Sequence, residues 1–367
     1  MKRLSNDFSL MAMMIAILLP LQLSAAHKYG FAEGNFFYNV TDKAGLTVEV
    51  TYGSDYGQYF GAIEIPTRVF HDGVAYTVTK VGSYAFAGCS GVTSVSFPET
   101  VTTIGDHAFA GCNAMLSMTI PKTILSIGNY AFESCSSFKE FEMEYGPDVL
   151  SFGKGASRGL DYSLFSDCPL ESVIVRRPLN FKDGYSPFNN NTKLKNATIK
   201  NLTGVHRYLF NGCTALTNVS LSDAVITIND YAFAGCRSLH EITIPESVTT
   251  ISNSAFRDCN NLRSFTVSSG IQTIGDYAFA DCVSLTEFTI PSNVISIGNY
   301  AFSGCTDLKT LKFEVGAENL KIGKGSSKGA GYCLFYDCPL EKIELRRFLE
   351  YSSKKQMGIL HLQIIQH

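Results

Sequence analysis

The chain has 367 residues, of which 45% are apolar, so it can bury an interior as large as that of two or three ordinary domains. Its 33 Asp and Glu side chains nearly balance its 30 Lys and Arg side chains. This balance argues against the strongly basic face of a nucleic-acid-binding protein, and the apolar content argues against gross disorder.

The first predicted element is an export signal over residues 1–26. Lys2 and Arg3 precede an apolar run over residues 10–23, and small residues follow as far as Ala26. A charged start, a short apolar centre and small residues before a cleavage point are typical of a secretory signal peptide. The run is short for a bilayer span, so a membrane anchor is the less favoured alternative. We therefore predict a secreted or cell-surface protein with no membrane span in the mature chain.

A unit of about 23 residues then recurs along the chain. It reads roughly IGxxAFxxCxxLxxFxIPxxV, as in Ile274–Val294. Seven of the ten spacings between its phenylalanines are 23 residues, one is 22 and two are 33. These phenylalanines are Phe86, Phe109, Phe132, Phe165, Phe188, Phe210, Phe233, Phe256, Phe279, Phe302 and Phe335. One unit cannot bury its apolar side alone, so neighbouring units are expected to stack and to share an interior.

Each unit predicts one strand and one turn. Leu285, Phe288 and Ile290 are apolar. The last two alternate with the polar residues Glu287 and Thr289, as in a strand with one buried side. The GxxAF half is too short for a full helix, so we expect a single helical or 3-10 turn there. The pattern predicts a leucine-rich-repeat solenoid of about eleven stacked repeats over residues 81–347, with a parallel β-sheet on its concave face.

The recurring IGxxAFxxC and the LxxFxIP that follows it resemble the BspA-type leucine-rich repeat family. The resemblance covers residues 81–347, and residues 27–80 are similar to the strand-rich N-terminal cap of these proteins. Members are typically secreted or surface proteins of host-associated bacteria, and some bind extracellular-matrix or plasma proteins. The resemblance implies an exported adhesion or ligand-binding protein whose partner is a protein or a glycan, with extracellular matrix among the candidates. It implies no specific ligand.

The two 33-residue spacings come from one insertion that is used twice. Residues 127–177 reappear as residues 297–347, an offset of 170 positions, which indicates duplication of a large block. Each insertion contains a glycine-rich loop, GKGASRG or GKGSSKG, that is a candidate for binding an anion such as a sulfated glycan. The alternative is a loop without a ligand that was copied with its block. The basic residues of these loops are Lys154, Arg158, Lys324 and Lys328.

Ten of the eleven cysteines stand three residues after a repeat phenylalanine. In the remaining repeat, Asn191 takes that place. Because free cysteine is among the most buried residue types, we predict a buried column of thiols. Disulfides between adjacent repeats are the alternative, since stacked strands fall within the Cα range of a disulfide. Cys333 is off the column and is a candidate reactive or bonding thiol. No Cys/His spacing indicates zinc, and we expect no cofactor.

The outward residues of the predicted strands form two columns. If Phe288 and Ile290 point inward, Glu287 and Thr289 point outward. Small hydroxyl side chains dominate both columns and aromatic side chains are absent, so the face is no obvious high-affinity groove. A broad, weak binding surface and a solvated sheet are both open interpretations. The candidate ligand-binding residues are Glu140, Glu142, Asn196, Asn218, Glu241, Glu287, Thr289, Thr310 and Lys312.

No catalytic site can be assembled from the sequence, so we predict that the protein is not an enzyme. The seven histidines share no repeat column, and no catalytic order of Ser, His and Asp stands out. The alternative to a binding protein is a structural spacer or surface-layer component with no specific ligand. The sequence predicts no oligomeric state.

The last predicted segment, residues 348–367, departs from the repeat. Residues 348–351 (FLEY) still resemble residues 178–181 (PLNF), and the sequence similarity at the 170-residue offset ends after them. The alternatives are a divergent C-terminal cap and a frameshifted or truncated end of the repeat region, which would leave the last repeat uncovered.

Overall fold

The computed structural model describes residues 29–54, 56–153, 164–181, 186–316, 320–323, 334–346 and 349–351. The predicted signal peptide and residues 352–367 of the predicted tail lie outside the described residues. The basic residues of the glycine-rich loops and the off-column cysteine also lie outside them, namely Lys154, Arg158, Lys324, Lys328 and Cys333.

Each repeat contributes one longer strand and one shorter strand. The longer strands, which we call the first ladder, are β7 Gly91–Ser96, β9 Ser117–Ile120, β11 Glu140–Met143, β13 Ser172–Val175, β15 Asn196–Ile199, β17 Asn218–Leu221, β19 Glu241–Thr243, β21 Ser264–Thr266, β23 Glu287–Ile290, β25 Thr310–Phe313 and β27 Lys342–Glu344. The shorter strands, which we call the second ladder, are β8 Thr103–Ile104, β10 Ser126–Ile127, β12 Leu150–Phe152, β14 Leu179–Asn180, β16 Gly204–Val205, β18 Thr227–Ile228, β20 Thr250–Ile251, β22 Thr273–Ile274, β24 Ser296–Ile297, β26 Leu320–Ile322 and β28 Leu349–Tyr351.

Strand pairing within both ladders is parallel, as expected when each repeat lies on the one before it. Side chains alternate along the first ladder: Met118 and Ile120 are buried, whereas Ser117 and Thr119 are exposed. Alternation with a period of two is what a strand with one buried side requires. The predicted leucine-rich-repeat solenoid is therefore confirmed.

Six strands precede the repeats, and they extend both ladders. They are β1 Phe31–Glu33, β2 Phe36–Asp42, β3 Thr47–Thr51, β4 Phe60–Glu64, β5 Arg68–His71 and β6 Val74–Val81. β1, β2 and β3 form an antiparallel meander, β3 pairs in parallel with β6, and β6 pairs in parallel with β8. β5 pairs antiparallel with β6, and β4 pairs in parallel with β7. The first repeat is thus covered by β4, which extends the first ladder, and by β6, which extends the second ladder.

A file of stacked phenylalanine rings, one from each repeat, fills the interior. Consecutive rings from Phe86 to Phe335 have centroid separations between 5.2 and 5.9 Å. Phe256, Phe279 and Phe302 are fully buried. Burying a phenylalanine stabilises a fold by roughly 1.5–3 kcal/mol, so this file is a main source of stability. The prediction that these rings share one interior is confirmed.

The predicted duplication is visible in the strands. An offset of 170 residues carries β7–β14 onto β21–β28, strand by strand, as in Ser117 of β9 and Glu287 of β23. β28 pairs with β26 just as β14 pairs with β12. We call β7–β14 the first copy and β21–β28 the second copy. The equivalence of the strands extends through Tyr351. The sequence similarity between FLEY and PLNF therefore corresponds to the equivalent strands β28 and β14.

The turn before each phenylalanine is not helical in the described residues, contrary to expectation. Eight residues that stand two positions before a repeat phenylalanine have φ between 52° and 61°, and they are Tyr84, His107, Tyr130, Tyr208, Tyr231, Ser254, Tyr277 and Tyr300. The Tyr84 and Phe86 N–H groups donate to the main-chain carbonyls of Asp106 and Ala108 in the next repeat, at 2.9 and 2.8 Å. A left-handed residue followed by bonds to a neighbouring repeat prevents the i→i−4 pattern of a helix.

Glycine is required where one repeat approaches the next. A Cβ at Gly128 would overlap the backbone nitrogen of Asp106, and a Cβ at Gly298 would overlap that of Asp276. These two glycines are equivalent in the two copies, since they are 170 positions apart. The close approach explains why glycine recurs after the isoleucine in the repeat.

Candidate functional site

The outward side chains of the first ladder form two rows. Glu140 is opposite Ser117 and Ser172 in the strand register, and Thr310 is opposite Glu287 and Lys342. Four of the nine candidate residues are exposed and five are partly exposed. The first row contains Glu140, Asn196, Asn218, Glu241, Glu287 and Thr310, and the second row contains Glu142, Thr289 and Lys312. The candidates therefore lie on one side of the stack, and their role in binding stays a prediction.

Several charges on this side are paired across repeats. Lys312 Nζ lies 3.2 Å from Glu287 Oε2, and Arg176 Nη2 lies 2.8 Å from Glu142 Oε1. Glu171 accepts from Lys195, and this hydrogen bond together with that from Lys139 lowers the pKa of the Glu171 carboxyl. Exposed pairs of this kind add little to stability, so they leave the charges available to a partner.

The first ladder is interrupted. Within the described part of the chain, no strand pairing joins β7 to β9, β17 to β19 or β21 to β23. At the last gap the repeats stay joined on both sides. The Ser284 N–H donates to the Asn260 carbonyl at 3.2 Å, and the Ile295 N–H donates to the Gln272 carbonyl at 2.8 Å. The gap is thus confined to the strands themselves.

A cleft of about 590 Å³ lies at the gap between β21 and β23. Its apolar lining comes from Phe265, Val267, Phe288 and Pro291. Its charged lining comes from Glu246, Glu287, Glu314 and Arg263. Among the lining residues, Glu287 and Thr289 belong to the candidate ligand-binding residues, and Ser264 stands in the same strand column as Glu287. The spacing of the repeat gives no signal for the cleft, because the cleft depends on a missing strand pairing.

The turn surface on another side of the stack carries aromatic rings. His107 lies between Tyr84 and Tyr130 with centroid separations of 4.7 and 5.0 Å, and its Nδ1 lies 3.0 Å from Glu133 Oε2. The planes of these rings are within 13° of parallel, so the rings cover each other's faces. This arrangement leaves ring edges, rather than faces, for contact with a partner.

The ten cysteines of the column are free thiols in the described structure, and nine of them are buried. Nine of the sulfur atoms donate to the carbonyl of a phenylalanine in the preceding repeat, at 2.7–3.3 Å, as Cys282 does to Phe256. Burial raises the pKa of the Cys213 thiol from its ordinary 9.0 to about 12. A buried thiol with a raised pKa is a poor nucleophile, which indicates a structural role for thiols such as Cys213. The predicted buried column is confirmed.

Asn191 fills the cysteine position of its repeat in a different way. Its Oδ1 accepts hydrogen bonds from the Lys193 and Leu194 N–H groups, both at 2.9 Å. It is only 8% exposed, so these bonds satisfy a polar group inside the stack.

Two further observations concern the described residues only. They contain no group of three or more His, Cys, Asp or Glu side chains arranged to hold a metal ion. They also contain no helix with the length and apolarity of a bilayer span.

The repeat itself identifies the family. The family described as "BspA type leucine rich repeat region (6 copies)" matches residues 73–179, 150–236 and 182–309, which together are more than half of the chain. The chain belongs to the BspA-type leucine-rich repeat family. No curated protein sequence matches this BspA-type chain significantly.

Solved structures of bacterial leucine-rich repeat proteins are similar in fold. A leucine-rich repeat protein from Bacteroides ovatus is 24% identical, with 86% of this chain and 70% of that chain covered and a TM-score of 0.51. A leucine-rich cell-surface protein from Faecalibacterium prausnitzii is 19% identical, with 90% and 96% covered and a TM-score of 0.32. At these identities the likeness to the Bacteroides protein supports the fold alone.

Proposed function

We propose that this BspA-type chain is an exported, non-catalytic adhesion or ligand-binding protein that contacts a protein or glycan of a host or cell surface. One observation carries the proposal: nine polar or charged candidate residues stand in two adjacent exposed rows along the first ladder. A repeat stack presents such rows at a fixed spacing, so many weak contacts act together on one extended partner.

Two further findings support a binding role over catalysis. Function in a repeat scaffold depends on the exposed residues that the scaffold carries. Burial raises the pKa of thiols such as Cys213 and Cys259, which makes these thiols poor nucleophiles. Export remains part of the proposal, because residues 1–26 have the pattern of a signal peptide.

The test is a binding screen of the mature chain against immobilised extracellular-matrix proteins and a glycan panel. We expect Glu287→Arg to weaken binding about tenfold, which corresponds to about 1.4 kcal/mol, because it reverses a charge in the exposed first row. Asp307→Arg makes the same change of charge at an exposed residue outside both rows and is the control. If the chain binds nothing, or if both variants bind as the wild type does, a structural spacer is the better interpretation.

A further inference from the structure

The gap between β21 and β23 recurs at the same place in both copies of the duplicated block. β7 and β9 are the first-copy equivalents of β21 and β23, and they too are unpaired among the described residues. The joining bonds beside the gap also recur, since Ala114 N–H donates to Ser90 O at 3.0 Å where Ser284 N–H donates to Asn260 O. A feature that both copies retain belongs to the repeat architecture and is not an accident of one loop.

We propose that the cleft between β21 and β23 receives an extended segment of a partner protein that carries a lysine or arginine side chain. This inference rests on the proposed function, because it names the chemistry of the partner at one place on the same face. The argument has three parts: the unpaired strand edges, the apolar floor and the charge of the rim.

Unpaired strand edges face the cleft. Among the described strands, β21 pairs only with β19, and β23 pairs only with β25 and not with β21. The backbone N–H and C=O groups along the facing edges therefore lack the ladder partners that the paired strands of this face have. An extended peptide supplies such partners when it adds to a strand edge, and its backbone bonds then give affinity without regard to its sequence.

The floor of the cleft suits the stem of a long basic side chain. Phe265, Val267 and Pro291 line it, and Phe288 is only 3% exposed below them. Lysine and arginine bury their methylene groups on apolar surface while the charged end reaches polar groups. A volume of about 590 Å³ is larger than one side chain, so it accommodates a short stretch of backbone as well.

The rim selects a positive charge. Three carboxylates, from Glu246, Glu287 and Glu314, line it with the guanidinium of Arg263, and the ammonium of Lys312 lies beside Glu287. Each carboxylate is oriented by a neighbour: Ser269 Oγ donates to Glu246 at 2.7 Å, and Ser292 N–H donates to Glu314 at 3.0 Å. Glu287 is oriented by the exposed Lys312 at 3.2 Å, a pair that a partner's cation can replace at small cost.

The first copy offers an internal comparison. At the position of Glu287 it has Ser117, whereas Glu246 precedes the second copy and the residue 170 positions before it, Tyr76, lies in β6 and not in the first copy. Thr93 stands where the second copy has Arg263, whereas Glu144 matches Glu314. The gap is thus the same in both copies, and only the second has a carboxylate at the strand position of Glu287, which assigns the binding of a basic segment to the second copy.

The experiment uses the mature chain and two labelled, acetylated hexapeptides, Thr-Lys-Val-Lys-Val-Thr and Thr-Glu-Val-Glu-Val-Thr. Fluorescence anisotropy at 50 mM salt should show at least tenfold tighter binding of the lysine peptide, and the difference should shrink at 300 mM salt. The double variant Glu246→Gln and Glu287→Gln should weaken binding of the lysine peptide at least fivefold. The matched first-copy variant Ser117→Ala should bind as the wild type does.

Backbone hydrogen exchange distinguishes strand addition from loose attraction of charge. The lysine peptide should slow exchange at residues 286–290 and leave residues 117–120 unchanged. Equal affinity for the two peptides, or unaltered binding by the double variant, would overturn the proposal. If the lysine peptide does not bind while the matrix and glycan screen still depends on Glu287, the cleft assignment fails and the proposed function stands. If both fail, the spacer interpretation remains.

Discussion

The two copies of the duplicated block differ mainly on the outside. Inside, Phe109 and Phe279 are both fully buried, and Cys112 and Cys282 both donate to a phenylalanine carbonyl, at 3.3 and 3.2 Å. On the first ladder, the exposed Ser117 of the first copy corresponds to Glu287 of the second. The same offset converts Glu142 to Lys312, Ser172 to Lys342 and Ile174 to Glu344.

This difference teaches which residues the fold constrains. An interior position touches the equivalent position of both neighbouring repeats, so a change of volume there disturbs three repeats. An outward position on the ladder meets solvent and one or two exposed side chains. The rows are therefore the part of the molecule in which the two copies can acquire different partners.

The largest expected effect tests whether the two interiors are equivalent. Phe279→Ala should lower the free energy of unfolding by about 3–5 kcal/mol, because it removes a fully buried ring and leaves a cavity between Phe256 and Phe302. Phe109→Ala should cost the same within about 1 kcal/mol. Urea unfolding followed by far-ultraviolet circular dichroism measures both.

The control for these variants is Phe60→Ala, since Phe60 is 81% exposed and its loss should change stability by less than about 0.5 kcal/mol. A large loss for only one of Phe109→Ala and Phe279→Ala would show that the two copies are packed differently.

A smaller effect depends on pH. Burial raises the pKa of the Cys112 and Cys282 thiols above their ordinary value of 9.0. Above about pH 9 the unfolded thiols release their protons while the folded ones keep them, so the stabilisation present at lower pH is lost as the pH rises. Each such thiol should contribute a slope of about 1.4 kcal/mol per pH unit.

Urea unfolding at pH 8 and pH 10, under reducing conditions, measures this slope. Cys112→Ala and Cys282→Ala should each make the loss of stability between these pH values shallower, and by similar amounts. A slope that neither substitution changes would mean that the two thiols titrate in the folded state as they do in the unfolded chain.

The smallest effect concerns the exposed rows. Lys312→Glu gives the second copy the residue that the first copy has at Glu142, and it breaks the pair with Glu287. Because the two side chains are 40% and 65% exposed, stability should fall by less than about 1 kcal/mol. Thermal or urea unfolding at 50 mM and 500 mM salt measures this, with Lys312→Gln as the control. A loss that exceeds this limit and does not respond to salt would contradict the view that the rows vary freely.

The sequence predicted the features that repeat with a fixed period. The spacing of the phenylalanines located the ring file, and the alternation around Phe288 located both rows, whose register the strand pairing reproduces. The cysteine column followed from its constant distance to the phenylalanine. These features are local, and they recur in every repeat.

The features that the sequence did not predict depend on how neighbouring repeats meet. The expected helical turn is replaced by a left-handed residue such as Tyr277, and no residue pattern predicts its φ of 55°. The gap between β21 and β23, and with it the grouping of Glu246 with Glu314, arises from four successive repeats. The second ladder rests on two-residue strands such as β22, which are too short to carry a periodic signal.

The sulfur atoms of the column have a consequence for how the chain reaches its folded state. Cys236, Cys259 and Cys282 each satisfy a main-chain oxygen as free thiols inside the stack. Folding of the described column therefore calls for no oxidant and no isomerase to sort mispaired cysteines. Such a stack forms as readily in strongly reducing surroundings as in aerated ones, a freedom that cross-linked small extracellular domains do not have.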